Sequence, residues 1–100
     1  MKRIELTDIS FVGSPKGMQK TGLVGWVSCT LNGTLRLDGL ALRRTADGRL
    51  TLSFPARRDA SGRQHAYVRP LDDRARREIE YQVFDALGLE ASLHFERRLT

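Results

Sequence analysis

Only one cysteine, Cys29, stands in the chain, so no internal disulfide can form and no multi-cysteine metal site can be assembled. Its plain role is that of a small buried hydrophobe on a strand. With His65 and His94 as the only histidines, no zinc constellation is available either. Aromatic residues make up 7% of the chain. Tyr67 alone falls near the most basic stretch, which leaves little for single-strand base stacking to work with. Long hydrophobic runs are also missing. Lys2 and Arg3 are followed by no apolar segment and nothing approaches the length of a membrane span, so the expectation is a cytoplasmic protein with no signal peptide and no membrane partner. Marks of catalysis are scarce: there is no Gly-rich phosphate fingerprint or P-loop, and Ser53, Ser61, His65 and His94 lie in no recognisable motif. No enzyme, no cofactor and no small-molecule substrate is expected.

What is present describes a soluble globular chain. One hundred residues make one domain with a single core. Hydrophobic residues at 40% and charged residues at 29% exclude a disordered composition. The net charge is +5, and most of the basic residues are Arg rather than Lys. Arginine binds phosphate through a planar fork and stacks on bases, which leans toward nucleic acid. A genome-wide preference for Arg codons would produce the same bias, and composition does not separate the two.

Along the chain, residues 3–12 alternate in part and then change phase, which predicts a strand bulged near Thr7–Asp8. GSPKGMQKTG reads as a loop. The β-rich run GLVGWVSCTL is followed by Asn32-Gly33, a strong hairpin signal because a type I′ turn needs positive φ at both positions. A two-residue loop would pair Thr30 with Leu35, Ser28 with Leu37, Gly25 with Leu40 and Leu23 with Leu42. Both faces of that ladder are then partly apolar. Either a bulge at Asp38-Gly39 corrects the phase, or each face is covered by something different, the second cover being another subunit. Ala46-Asp47-Gly48-Arg49 makes a tight turn into a strand carrying Leu50, Leu52 and Phe54, and Pro55 ends it. Ala56–Arg63 reads as an Arg-rich loop and Gln64–Val68 as a short strand. Asp72 is the expected N-cap of a helix running to about Leu87, with Gly88 beyond its end. Ala75, Ile79, Gln82, Val83 and Ala86 should face the sheet, leaving Tyr81 and Phe84 as an outer patch for the tail (Leu93, Phe95) or a dimer mate. The fold class is α+β: an antiparallel sheet of about four to five strands with one main C-terminal helix, in a homodimer. Residues 1–88 form the domain, and 89–100 are an unassigned tail.

The charge is unevenly laid out. Between Arg43 and Arg77 ten arginines face four aspartates, whereas Glu78 to Glu96 holds five acids and no Lys or Arg. Arg74, Arg76 and Arg77 in the first helical turns oppose the helix dipole, at about 0.3–1 kcal/mol each when exposed. The bland account is i,i+4 pairing of Arg74 with Glu78 and Arg76 with Glu80, worth a few tenths of a kcal/mol. The functional account is a phosphate held by the free N–H groups and these guanidinium groups. Arg43, Arg44, Arg57, Arg58 and Arg63 extend that candidate set into the turns and the loop.

Four stretches carry a resemblance: IELTDISF (Ile4–Phe11), SCTLNGTLRLDGLAL (Ser28–Leu42), LTLSFPARRDASGR (Leu50–Arg63) and VRPLDDRARREIEYQVF (Val68–Phe84). With Pro55, Arg57, Arg58, Gly62, Pro70, Arg76, Ile79 and Val83 at their spacing, the chain up to Gly88 resembles the bacterial stage V sporulation protein G, or septation protein, family. That resemblance implies a homodimer of sheet-plus-helix subunits that binds DNA, and in some members RNA, in regulation touching sporulation, septation or virulence. It carries nucleic-acid contact onto Arg57, Arg58, Arg74, Arg76 and Arg77. The chain departs from the family pattern at Leu71-Asp72-Asp73, at Arg69, in the length of Gly13–Thr21 and in the tail. A different class of function, a protein-interaction module acting on the division machinery, would instead use the acidic helix body and the Tyr81/Phe84 patch, with Trp26 as a further partner contact.

Overall fold

A computed structural model describes residues 3–89 of the chain. Its elements are strands β1 (Leu6–Gly13), β2 (Leu23–Leu31), β3 (Leu35–Arg44), β4 (Leu50–Ser53), β5 (Ala56–Arg58) and β6 (Gln64–Ala66), and helices α1 (Lys16–Gln19) and α2 (Asp73–Ala86). Strands β1 to β4 form one antiparallel sheet in chain order, and β5 with β6 forms a separate two-stranded ribbon. The α+β class and the single long C-terminal helix are as the sequence indicates. Two segments differ from it. The stretch expected as a loop between Gly13 and Thr21 contains the single turn α1, and the Arg-rich segment after Pro55 is half of a hairpin rather than a free loop.

The Asn32-Gly33 turn has both residues at positive φ, and the Thr34 N–H donates to the Leu31 carbonyl at 2.9 Å. Thr34 nevertheless stays outside the ladder, so the first pair is Leu31 with Leu35 and the expected register is off by one. Thr30 meets Arg36, and Cys29 meets Leu37. A second irregularity then decides which face is buried. Leu37 and Leu40 are an odd number of residues apart and would point to opposite faces of a regular strand. Gly39, at φ +74, marks an extra residue in β3, and beyond it Val27 pairs with Leu40 and Gly25 with Leu42. Leu37, Leu40 and Leu42 thereby join Leu23, Val27 and Cys29 on one buried face. Of the two accounts open for this ladder, the bulge at Asp38-Gly39 is the one observed. The β1 bulge also falls where expected, with Asp8 at φ +49 between the Thr7 and Ser10 pairs.

Helix α2 covers that face. Asp72 caps it by accepting from the Ala75 N–H at 2.8 Å, and Gly88 beyond its C-terminus takes φ +73. Its inward stripe is rotated from the expected one. Ile79, Val83 and Phe84 are buried, with Phe84 only 3% exposed, while Ala86 faces solvent. The outer Tyr81/Phe84 patch therefore does not exist, and Tyr81 stands alone at 66% exposure. The tail residues expected to cover it lie outside the described residues.

The rotation has a polar cause. Arg76 and Glu80 belong to the inner side of the helix, where Glu80 Oε2 accepts from the Leu52 N–H at 3.0 Å and Arg76 donates to the Leu52 carbonyl at 2.7 Å. These are the outward-pointing backbone groups of edge strand β4. At the other edge, the Gln82 amide accepts from the Leu6 N–H at 2.8 Å and donates to the Ile4 carbonyl at 2.7 Å. Helix α2 thus runs from one sheet edge to the other, with side chains standing in for a neighbouring strand at both ends.

Removing the Gln82 amide strips two part-buried backbone groups of their partner. Gln82→Ala is expected to lower stability by about 1–3 kcal/mol in urea denaturation, whereas Tyr81→Ala stays within about 0.5 kcal/mol. Equal effects of the two would contradict the edge clamp.

Candidate nucleic-acid interface

Beyond Ser53 the chain cannot remain in the main sheet, because Pro55 lacks a donor and the β4 edge is occupied by Arg76 and Glu80. It turns out instead into the β5–β6 hairpin. Ala56 pairs with Ala66, Arg57 with His65 and Arg58 with Gln64, and the Tyr67 N–H closes the base on the Pro55 carbonyl at 2.9 Å. Alternation places Arg57 and His65 on one face of the ribbon and Arg58 and Gln64 on the other. Nearly every residue from Arg57 to Tyr67 is exposed.

Asp59 builds the turn. Its Oδ1 accepts from the Ser61 N–H (2.9 Å), the Ser61 hydroxyl (2.7 Å) and the Arg63 N–H (3.0 Å). Its Oδ2 lies 2.7 Å from His65 Nε2. Gly62 at φ +88 completes the reversal, its N–H donating to the Asp59 carbonyl at 3.0 Å. The His65 contact first, then the Ser61 hydroxyl and the backbone donors, hold the Asp59 carboxyl down at about 2. The one acid of the hairpin is therefore committed to folding it.

Each basic residue singled out from the sequence has a definite place. Arg58 donates to the Gly62 carbonyl at 3.0 Å, which steadies its guanidinium over the turn. The side chains of Arg57 and Arg63 are exposed and have no partner among the described residues. The same holds for Arg74 and Arg77 on the outer side of the first turns of α2. Arg76 is different. It is drawn inward, donating to Leu52, lying 3.5 Å from Glu80 and placing its guanidinium carbon 5.5 Å from the Phe54 ring centroid. Its expected pairing with Glu80 is present. Arg74 and Glu78 do not pair, and Glu78 accepts from Gln82 instead.

The Arg76–Phe54 contact links the residue ahead of Pro55 and the hairpin to the first turns of α2. Arg43 and Arg44 lie elsewhere. They pair with Thr51 and Leu50 at the far end of β4, and Arg44 is half-buried with a bond to the Gly48 carbonyl at 3.1 Å. Asp72, the acid next to the helix start, is occupied as the cap. Reading Ala56–Arg63 as a loop missed the hairpin faces, and with them Gln64 and His65. The available signal was the Asp59–Gly62 turn pattern ahead of the Gln64–Val68 strand.

The three residues suggested for partner contact do not share a surface. Phe84 is in the core and Tyr81 faces outward from the helix. Trp26 is half-buried on the face of the sheet opposite α2, in a row with Val12, Ala41 and Ser53 across all four strands. Among the described residues no three His, Cys, Asp or Glu side chains gather as a metal site, and no helix is long and apolar enough to cross a membrane. No protein-family model matches the chain, and no curated protein matches it.

Asp59 gives the hairpin a pH signature. Its carboxyl is lowered from 3.8 to about 2, so the stabilisation is fully present above about pH 4 and is lost as pH falls through about 2. Side-chain carboxyl titration by NMR should give a midpoint near 2, moving up toward 3.8 in His65→Ala. A midpoint already at 3.8 in the intact chain would refute the turn chemistry.

Proposed function

We propose that this protein is a nucleic-acid-binding regulator without catalytic activity of its own. It grips phosphates with Arg57, Arg58 and Arg63 of the hairpin and with Arg74 and Arg77 at the start of α2. The observation that carries this reading is an imbalance of commitments. Two of the three acids of the segment, Asp59 and Asp72, are tied into a turn and a cap, which leaves exposed Asp73 against five arginines, four of them without a partner among the described residues. Uncompensated guanidinium groups flanking a helix N-terminus suit phosphate oxygens in both charge and geometry.

The resemblance to the stage V sporulation protein G family supports the same reading, and adds that DNA, or RNA in some members, is bound by a cytoplasmic homodimer acting in sporulation, septation or another regulated process. In the dimer we propose, the sheet face opposite α2, around Trp26 and the 65%-exposed Val12, is the mutual surface. That arrangement presents the basic hairpin twice. Arg76 drops out of the contact set, because its guanidinium links β4 to the helix. The competing reading, a module that docks on the division machinery through α2, retains Tyr81 alone of its apolar patch.

Gel shifts on duplex DNA at 50 and 200 mM salt test the phosphate reading. With about −0.9 in log–log slope per contact, five contacts weaken binding roughly 500-fold over that range. Arg57→Glu/Arg58→Glu should abolish the shift. Absence of binding at low salt, or an unaffected double variant, overturns the proposal. For the dimer, light scattering should return the mass of two chains, falling to one in Trp26→Arg.

A further inference from the structure

The β5–β6 hairpin is more than a charged projection, because its two faces differ in chemistry. The Arg57 and His65 face also carries the Asp59 carboxylate, bonded to His65 at 2.7 Å. On the other face Arg58 and Gln64 stand directly opposite one another across the two strands. Arg58 uses one amino group on the Gly62 carbonyl and keeps the rest of its fork open. Gln64 is exposed, and its side chain has no partner among the described residues. Phosphates only accept hydrogen bonds, so a backbone-gripping site has no use for an acceptor. The Gln64 amide offers a donor and an acceptor side by side.

From this pairing we infer that the hairpin enters the major groove of duplex DNA and reads base edges with Arg58 and Gln64. The inference rests on the nucleic-acid reading above and goes further by naming the form of nucleic acid and the specificity residues. The dimensions agree. Two strands lie about 4.8 Å apart, and a major groove about 12 Å wide and 8.5 Å deep admits a two-stranded ribbon. The ribbon forms a sheet of its own, pairs with no other strand among the described residues and is exposed along most of its length, so it is free to insert. Arg forks onto the O6 and N7 of guanine, and a Gln amide onto the N6 and N7 of adenine. Neighbouring placement on one ribbon face suits adjacent guanine and adenine steps. Arg58 then turns from the phosphates to the bases, and Arg57, Arg63, Arg74 and Arg77 remain as four contacts to the flanking phosphates. Duplex RNA is excluded as the preferred ligand, because its deep, narrow major groove does not admit the ribbon.

The experiment selects duplexes from a random 20-base-pair DNA pool with the full chain, then compares three probes. These are the enriched duplex, the same duplex with 7-deazaguanine and 7-deazaadenine at the selected positions, and the same sequence as duplex RNA. The expected result is an enriched site containing guanine beside adenine, with affinity about tenfold lower once N7 is removed and also lower for the RNA. Gln64→Ala should lose the adenine preference, and Arg58→Ala the guanine preference. Binding with no enriched sequence, indifference to N7, or a preference retained by both variants overturns groove reading while leaving phosphate binding intact. No binding to any probe at 50 mM salt overturns both.

Discussion

Helix α2 is stitched to both borders of the sheet by side chains that imitate a strand, and the rest of the molecule depends on that arrangement. Gln82 answers one outward N–H and one outward C=O beside β1, while Glu80 and Arg76 answer the N–H and C=O of Leu52 in β4. Apolar burial of Ile79, Val83 and Phe84 supplies the larger share of free energy, at about 1.5–3 kcal/mol for each side chain fully buried. It is non-directional, however. The polar contacts fix where along the sheet, and at what rotation, the helix sits.

Much of this fold was legible in the sequence, and the failures have physical reasons. The helix limits were readable because capping chemistry is local: Asp72 and Gly88 do what those residue types do at helix ends. The turn at Asn32-Gly33 was readable for the same reason. Its register was not, because Thr34 stays outside the ladder and Gly39 then adds a separate extra residue to β3, and the two turn residues mark neither. The helix face was misjudged because hydrophobic periodicity counts Arg76 and Glu80 as solvent residues. A charge that satisfies a strand edge is invisible to a pattern built on polarity, since its partner is a backbone group far away in sequence.

The candidate site was legible in the same uneven way. Concentrated arginine marked the stretch that the structure shows as an exposed hairpin and helix start, and proline marked its borders. Which arginines are free was not readable, because commitment depends on tertiary neighbours: Arg76 on Leu52, Arg44 on Gly48, Arg58 on Gly62. Two of the three acids that threatened to neutralise the stretch prove to be architectural, while Asp73 in the first turn of α2 stays exposed. Asp59 and Asp72 carry negative charge into the region yet apply it to backbone N–H groups, so they organise the basic surface as well as offsetting it.

One consequence follows from the occupied β4 edge. Because Arg76 and Glu80 hold Leu52, the chain after Pro55 cannot become a fifth strand, and the hairpin stands apart as its own small sheet. Its exposed positions share no packing with the core, so substitutions there and in the core should combine additively. The exposed hairpin and the packed core thereby occupy separate parts of a short chain. A new hairpin sequence of the same length, with its Asp59 and Gly62 kept, can be exchanged onto this scaffold without renegotiating the fold.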